Sequence, residues 1–300
     1  MPVIVLFRST PAGPFTALTE AFRAGIADEG LVENETVRID YRWGNNNPDL
    51  LPGIARELVD SAVSVIVGNS VAVEAARAAT STIPIVFVAA DDPVKSGLVD
   101  NLARPSGNLT GLTFFGGGEL AAKRTELLLE IVPQAHLVGL LLDPNYPAVE
   151  SARRELEAAV NKLGRRFVVA ESATSDAFEA AFAKISEAGA EALVVAGSPF
   201  QTSQRKKIVE LSAARRLPAI YDQSSYVADG GLVSYATSFT AAYRQAGAYA
   251  ARLAKGAKPA DLPVLRPTIF ELAVNLGTAK ALGITIPNSI LLQADEVIEP

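Results

Sequence analysis

The amino-acid sequence predicts an α/β protein of two lobes, each a doubly wound, Rossmann-like domain built on a parallel sheet. Short runs rich in β-branched residues alternate with longer segments of helical period, which is typical of βα units whose sheet is covered on both faces. The alternation occurs in two successive series of about 115 residues each, a common domain size. With 300 residues, 49% of them hydrophobic, the chain is long enough for two cores.

The first series opens on the apolar run PVIVLF, which predicts a strand that starts at residue 3. The β-branched runs of this series predict strands at 3–7, 36–42, 63–67, 84–88 and 109–114. The segments of helical period between them predict helices at about 14–29, 48–60 and 70–80.

The second series follows the same rules. Its predicted helices lie at about 118–131, 147–163, 175–187 and 202–214. Its predicted strands lie at 137–142, 166–170, 191–196, 218–221 and 232–235.

The remainder of the chain is too small for a third domain, so we expect it to complete the other two. It consists of a helix at about 240–255, the polar segment GAKPADLP, the extended stretch TIFELAVN and a short helix near 275–282. The expected lobes are therefore residues 1–113 with 238–266, and residues 114–237 with 267–300. The chain then crosses between lobes more than once, and the adjacent crossovers form a hinge beside a ligand cleft between the lobes.

Composition excludes several classes of function. A formal net charge of -6 argues against a nucleic-acid binder, which needs a basic face to displace counterions. The absence of cysteine excludes disulfides, thiolate metal sites and cysteine nucleophiles. The single histidine, His136, excludes a histidine-rich metal cluster, and we expect neither a metal nor a cofactor.

The N-terminal sequence bears on localisation. No apolar run approaches the roughly 18 to 20 residues that a membrane helix needs. The sequence also starts almost directly on a strand, with no basic region and long apolar region ahead of it. We therefore expect either a cytoplasmic protein or a secreted one whose signal has been removed.

Candidate binding residues follow the predicted strands, because open parallel sheets bind ligands beyond the carboxyl ends of their strands. These loops mix small polar residues with an aromatic residue or an acid. In the first lobe they are RSTPAGPF (8–15), GNSVAVEA (68–75) and AADDPVKS (89–96). In the second lobe they are DPNYPAVE (143–150), GSPFQTSQ (197–204) and YDQSSY (221–226).

Two polar features stand out. Asn69 and Ser70 open a helix directly after a strand, so the Ser70 hydroxyl and the free N–H groups behind it suit an anion. Ser70 is equally explained as a helix cap, and the two roles are compatible. Asp91, Asp92 and Asp222 end strands in the two lobes and suit an ammonium group, although an acid before a proline is also an ordinary turn residue.

Aromatic residues beside the same loops predict a ring-lined, apolar side of the pocket, although each is also explained by core packing. They are Phe15, Phe114, Tyr146 and Phe200.

Catalytic motifs are few. His136 has no G-x-S-x-G serine with which to act, and FFGGGELAAKR (114–124) lacks the phosphate-loop lysine and the dinucleotide spacing. We expect this glycine-rich segment to be a hinge exit.

Four long stretches resemble the ABC-transporter solute-binding proteins of the type I periplasmic-binding fold, in the branch that binds tryptophan and other aromatic amino acids. They are AFRAGIADEGLVENETVRIDYRWG, TSTIPIVFVAADDPVKSGLVDNLARPSGNLTGLT, LPAIYDQSSYVADGGLVSYA and NLGTAKALGITIPNSILLQADEVIE. The resemblance covers the chain essentially end to end. It implies an extracytoplasmic, monomeric protein that closes on a small zwitterion by a hinge motion and delivers it to a membrane permease.

The resemblance also implies roles for individual residues. The ligand carboxylate is expected at Ser70, with its neighbour Asn69, and at the turn from Ala90 to Asp92. The ammonium group is expected at Asp222. The side-chain pocket is expected to include Ser9, Thr10 and Phe15 of the first lobe and Tyr146 and Phe200 of the second. The strand-end loops themselves add Phe114, Asn145 and Ser198 as candidate binding residues.

This sequence departs from the family pattern at two positions, and two other functions remain open. Asp143 stands where the family often has asparagine, and Asp91 where it often has glycine. These acids either favour a more cationic ligand or face solvent. The alternatives are a ligand-sensing receptor domain of the same fold, or an α/β enzyme that uses Asp91, Asp92 and Asp222 as acid and base groups.

Overall fold

The computed structural model describes residues 1–89, 92–114, 119–266 and 268–299. The chain divides into two compact units. Unit 1 consists of Met1–Phe115 and Ser238–Ile269, and unit 2 of Gly116–Thr237 and Phe270–Pro300. The chain therefore passes from one unit to the other three times. No helix formed by the described residues is long and apolar enough to cross a membrane.

Unit 1 contains a five-stranded, fully parallel sheet in the order β2-β1-β3-β4-β5. Its strands are β1 (Val3–Arg8), β2 (Arg38–Trp43), β3 (Val65–Asn69), β4 (Ile85–Ala89) and β5 (Leu109–Thr113). Successive side chains of β1 enter two different cores, since Ile4 and Leu6 belong to one cluster and Val5 and Phe7 to the other. The sheet is therefore buried on both faces.

Four helices cover this sheet. They are α1 (Thr16–Asp28), α2 (Leu51–Asp60), α3 (Ser70–Ala79) and α10 (Phe239–Ala254). Side chains of α1 and α10 fill one core, and those of α2 and α3 fill the other. Unit 1 is thus doubly wound, as the sequence predicts.

Helix α10 belongs to unit 1 but follows most of unit 2 in the chain. It packs on α1 so closely that the backbones of the two helices are in contact. A Cβ atom at Gly247 would lie 2.1 Å from the carbonyl oxygen of Phe22, and one at Gly25 would lie 1.8 Å from that of Arg244. Glycine is therefore required on both helices. Ion pairs flank the contact, where Arg244 meets Asp28 at 2.6 Å and Arg252 meets Glu29 at 2.7 Å.

Unit 2 contains a seven-stranded sheet in the order β12-β11-β10-β9-β8-β6-β7. Its strands are β6 (Leu137–Leu142), β7 (Arg166–Glu171), β8 (Ala192–Val195), β9 (Ala219–Tyr221), β10 (Val233–Thr237), β11 (Phe270–Asn275) and β12 (Glu296–Ile298). Only the β10–β11 pair is antiparallel, and β11 is the stretch that the sequence predicts as extended. The remaining pairs of this sheet are parallel.

The helices of unit 2 lie on both faces of its sheet. They are α4 (Glu119–Ile131), α5 (Val149–Lys162), α6 (Phe178–Glu187), α7 (Pro199–Ser203), α8 (Arg205–Ala214), α9 (Ser224–Ala228), α11 (Leu276–Leu282) and α12 (Asn288–Leu291). Residues of α4 and α5 join one core, and residues of α6 and α8 join the other.

Two sequence expectations need correction. The helix predicted at 202–214 is two helices, because Ser198 caps a new start before Pro199 and the backbone leaves helical geometry at Gln204 (φ -103°, ψ 12°). The elements α9, α12 and β12 were not predicted. Each has five residues or fewer, which is too short for a readable period.

We predict that Gly247→Ala lowers the free energy of unfolding by about 1 to 3 kcal/mol, because the new methyl group must push the α1 backbone away. Urea denaturation of the purified protein measures the change. Gly53→Ala is the matched control, since a Cβ atom there meets nothing within 4 Å. The control should be neutral or stabilising by up to about 1 kcal/mol. Equal stability of Gly247→Ala and the wild type would contradict the contact.

Candidate ligand-binding site

In unit 1 the neighbouring strands β1 and β3 form a topological switch point, because β2 lies on one side of them and β4 on the other. The loops after these two strands are tied together by side chains. Asn69 Oδ1 accepts a hydrogen bond from the Ser9 backbone N–H at 3.0 Å, and its Nδ2 donates to Ser9 Oγ at 2.9 Å. The structure thus brings together Ser9 and Asn69, two of the predicted site residues, at the edge where ligands of such sheets bind.

Arg8 ends β1 directly before this pair and is 2% exposed. Its Nε donates to Thr10 Oγ1 at 3.3 Å, and its Nη1 donates to the Tyr243 hydroxyl. The guanidinium carbon lies 4.0 Å from the ring centroid of Phe15 and 5.1 Å from that of Tyr243. Burial lowers the pKa of Arg8, and the Tyr243 hydroxyl opposes this shift. Two predicted site residues, Thr10 and Phe15, therefore hold an arginine that sequence reasoning missed.

Ser70 is the first residue of α3 and 6% exposed. The helix is capped at Asn69, but the Asn69 side chain accepts no hydrogen bond from the first N–H groups of the helix. The Asn69 side chain is instead used on Ser9. The cap role expected for Ser70 is therefore wrong, because this residue already lies inside the helix. The start of α3 keeps the unbonded N–H groups that favour an anion.

The remaining predicted residues of unit 1 have other contacts. Asp92 Oδ1 accepts from the backbone N–H groups of Val94 at 3.0 Å and Lys95 at 3.3 Å, which is the turn role that the sequence also allowed. Phe114 packs on the ring of Phe239, with centroids 4.4 Å apart. Ala90 and Asp91 lie outside the described residues.

Unit 2 repeats the switch-point arrangement at β6 and β8, which have β7 on one side and β9 on the other. Ser198 Oγ donates to Asp143 Oδ2 at 2.7 Å and accepts from the Gln201 N–H at 3.1 Å. Asp143 Oδ1 accepts from the Asn145 N–H at 3.0 Å. Asp143 is 6% exposed, and burial raises its pKa although both hydrogen bonds oppose the shift. Asp143 therefore does not face solvent.

Asp222 lies beside the same cluster. It follows β9 and packs against the backbone of Gly197, where a Cβ atom would lie 2.1 Å from its Oδ2. Gly197 has a φ of +80°, so glycine is required there by both space and backbone geometry. Oδ1 of Asp222 is buried and has no hydrogen-bond partner among the described residues. Burial raises the pKa of Asp222, and the charge of Arg124 on α4 opposes the rise.

The predicted residues Asn145, Tyr146 and Phe200 differ in their surroundings. Asn145 is exposed and its Nδ2 donates to the Ala173 carbonyl at 3.5 Å. Tyr146 is 7% exposed in the turn after β6. Phe200 stacks on Phe178 with ring centroids 5.7 Å apart, so packing on the core explains its ring.

Sequence reasoning missed Arg8, Gly197 and Arg124. Arg8 carries a readable signal, because an arginine that directly follows the apolar run VIVLF is placed at the end of a buried strand. Gly197 and Arg124 carry none, since their roles depend on where Asp222 lies in three dimensions. Within the described ranges, no three histidine or acidic side chains are grouped as metal ligands.

A comparison with protein families shows which family this chain belongs to. The family model described as ABC transporter substrate binding protein matches residues 11–298. The chain belongs to this family. The family and the type I periplasmic-binding fold predicted from the sequence are confirmed, and the binding-protein function of the family fits loops that hold polar groups at strand ends.

Individual relatives resemble this substrate-binding protein along nearly all of its length. A tyrosine-binding protein of Clostridioides difficile is 25% identical over 283 residues, which are 92% of this chain and 80% of the relative. A conserved domain protein from Vibrio cholerae has a TM-score of 0.91 and 26% identity, with 99% of each chain covered. An ABC domain in complex with L-Trp from Streptococcus pneumonia has a TM-score of 0.91, 23% identity and the same coverage.

We predict that Asp143→Asn raises the free energy of unfolding at pH 7. The folded-state pKa of Asp143 lies above its ordinary value, so the folded state binds this proton more tightly than the unfolded state. The contribution of Asp143 to stability is therefore fully present at low pH and is lost as the pH rises from about 3.9 through the raised pKa. Asparagine keeps partners for Ser198 and Asn145 without the charge.

Urea denaturation at about pH 4 and pH 7 measures this effect as the difference between variant and wild type. Asp176→Asn is the matched control, because Asp176 is exposed in the same unit. An Asp143→Asn protein that is less stable than the wild type at pH 7 would show that the charge stabilises the fold.

Proposed function

We propose that this protein is the extracytoplasmic receptor of an ABC importer and captures an amino acid with an apolar or aromatic side chain. The family match over residues 11–298 is the observation that carries the proposal. The strand-end loops of both units supply the polar groups that such a ligand needs. The receptor closes on the ligand by a hinge motion and then delivers it, unchanged, to a membrane permease. It acts in the periplasm or its equivalent and functions as a monomer.

The ligand class rests on the tyrosine-binding relative, which resembles 92% of this chain. An amino acid presents a carboxylate, an ammonium group and a side chain, and the three require different surroundings. Permanent charges at both ends of the ligand need charge-assisted hydrogen bonds, while the side chain needs an apolar pocket. Tyr146 and the partly buried Phe200, which also stacks on Phe178, are proposed to line that pocket in unit 2.

The carboxylate is proposed to bind at unit 1. Ser70 is the first residue of α3, and the Asn69 side chain leaves the first backbone N–H groups of this helix for an anion. Ser9 lies next to this helix start through its hydrogen bonds with Asn69. The turn from Ala90 to Asp92 is proposed to complete this end of the site.

The ammonium group is proposed to bind at unit 2. Asp222 Oδ1 lacks a hydrogen-bond partner among the described residues, and a buried unbonded carboxylate oxygen is costly unless a ligand uses it. Ser198 and Asp143 lie beside it through Gly197. Reaching Asp222 requires a local shift of this loop, because Oδ1 is buried.

We predict that a panel of the twenty amino acids raises the melting temperature only for ligands that the protein binds. A ligand at 100 times its Kd adds about 2.7 kcal/mol to the free energy of unfolding, which shifts the melting temperature by several degrees. Tyrosine, phenylalanine and tryptophan are expected to give the largest shifts. Differential scanning fluorimetry measures them, and recovery of the ligand by mass spectrometry tests whether it is unaltered. A chemically altered ligand, or no shift by any amino acid, would refute the proposed function.

We predict that Ser70→Ala and Asp222→Asn each weaken binding of L-tyrosine at least about tenfold, because each removes a charge-assisted hydrogen bond to one end of the ligand. Isothermal titration calorimetry measures the Kd. The controls are Ser81→Ala and Asp176→Asn, which change the same residue types at exposed positions of units 1 and 2. If both site variants bind L-tyrosine as tightly as the wild type, the ligand binds elsewhere.

A further inference from the structure

Arg8 is a buried cation without an acidic partner in the described part of the chain. Its contacts are the hydroxyl groups of Thr10 and Tyr243 and the ring faces of Phe15 and Tyr243. These groups orient the guanidinium, but none of them carries a negative charge. The guanidinium stays protonated in proteins. The hydroxyl groups and rings around Arg8 therefore fix the position of its positive charge without neutralising it.

The Arg8 charge lies beside the strand-end edge of unit 1. Arg8 ends β1, and the next residue, Ser9, is bonded to Asn69 at the switch point of the sheet. Asn69 caps α3, and its side chain accepts no hydrogen bond from the first N–H groups of that helix. Asp92, an acid in the described part of the loop after β4, is already engaged by two backbone N–H groups and by Lys95 at 3.8 Å. Arg8 therefore adds a positive charge beside this strand-end edge.

We propose that Arg8 is a specificity-determining residue: its buried charge makes the strand-end edge of unit 1 selective for an anionic group of the ligand. Arg8 is 2% exposed and so acts on that group through the field at Ser9 and the start of α3, without touching it. That the anion is the carboxylate of an amino acid rests on the proposed function. The contribution of Arg8 to the selectivity for negative charge does not depend on the identity of the ligand.

A purely structural role for Arg8 makes different predictions. In that case the arginine serves only to hold Thr10, Phe15 and Tyr243 together, and its removal loosens the loop for every ligand alike. A role of the charge changes the affinity only for ligands with a negative group. The two roles are therefore separated by comparing ligands that differ in charge, and by measuring the potential directly.

Two variants remove or keep the charge. Arg8→Met with Tyr243→Phe removes both ends of one buried hydrogen bond together, which avoids leaving the tyrosine hydroxyl unpaired. Arg8→Lys keeps a positive charge but loses the planar guanidinium. Arg56→Met is the matched control, because Arg56 is exposed on α2 of the same unit.

The first experiment measures the potential at Ser9 without any ligand. The chain has no cysteine, so Ser9→Cys introduces a single thiol, and the pH dependence of its alkylation by iodoacetamide gives its pKa. We expect the double variant to raise this thiol pKa by about one unit, and Arg8→Lys and Arg56→Met to leave it within a few tenths of a unit. An unchanged thiol pKa in the double variant would overturn the proposal.

The second experiment measures affinity for L-tyrosine and for L-tyrosinamide, which lacks the carboxylate charge. We expect the wild type and Arg8→Lys to prefer the acid, and the double variant to lose at least tenfold of that preference while its affinity for the amide stays within about threefold. Equal losses for both ligands would assign Arg8 a structural role and overturn the proposal. If the wild type binds neither ligand, the proposed function fails, and the thiol experiment still decides whether Arg8 sets the potential.

Discussion

The candidate binding loops of each unit depend on one property of parallel sheets. At the topological switch point, the loops that follow two neighbouring strands run in opposite directions. Two neighbouring strands there send their chains to opposite faces, so no backbone closes the space between their ends. In this protein side chains tie the two loops together: Asn69 bonds Ser9 in unit 1, and Ser198 bonds Asp143 in unit 2. In each unit these hydrogen bonds use a polar side chain to position the two loops. Other groups, such as the backbone N–H groups at the start of α3, remain for a ligand.

The two units differ in the charges that they bury at these edges. Unit 1 buries the guanidinium of Arg8 between neutral groups, whereas unit 2 buries the carboxylates of Asp143 and Asp222 and sets the charge of Arg124 against Asp222. Burial shifts the pKa of each group toward its neutral form, so we expect each charge to cost stability in the folded chain. A stability cost that is concentrated at one edge of a sheet is typical of a functional site.

Glycine residues allow close contacts that position the charged groups at these strand-end edges. Gly25 and Gly247 let α10 rest on α1, so a helix that the chain adds late becomes part of the core of unit 1 and brings Tyr243 to Arg8. Gly197 lets the Asp222 carboxylate lie against the loop that carries Ser198. In both places the absence of a Cβ atom determines which charged group is buried. Glycine therefore contributes to the electrostatics of the protein as well as to its packing.

The sequence by itself determined the family, the α/β class, most of the long helices and strands, and the strand-end loops that carry the polar groups. These features are readable because hydrophobic period and loop composition are local properties. Only the tertiary structure decided which of those groups meet. The partners Arg8 and Tyr243 are 235 positions apart, and Ser198 and Asp143 are 55 apart. It also decided that Ser70 lies inside α3 and that Asp92 serves its own turn. Such outcomes depend on the order of strands in each sheet, which brings together loops that are far apart in the chain.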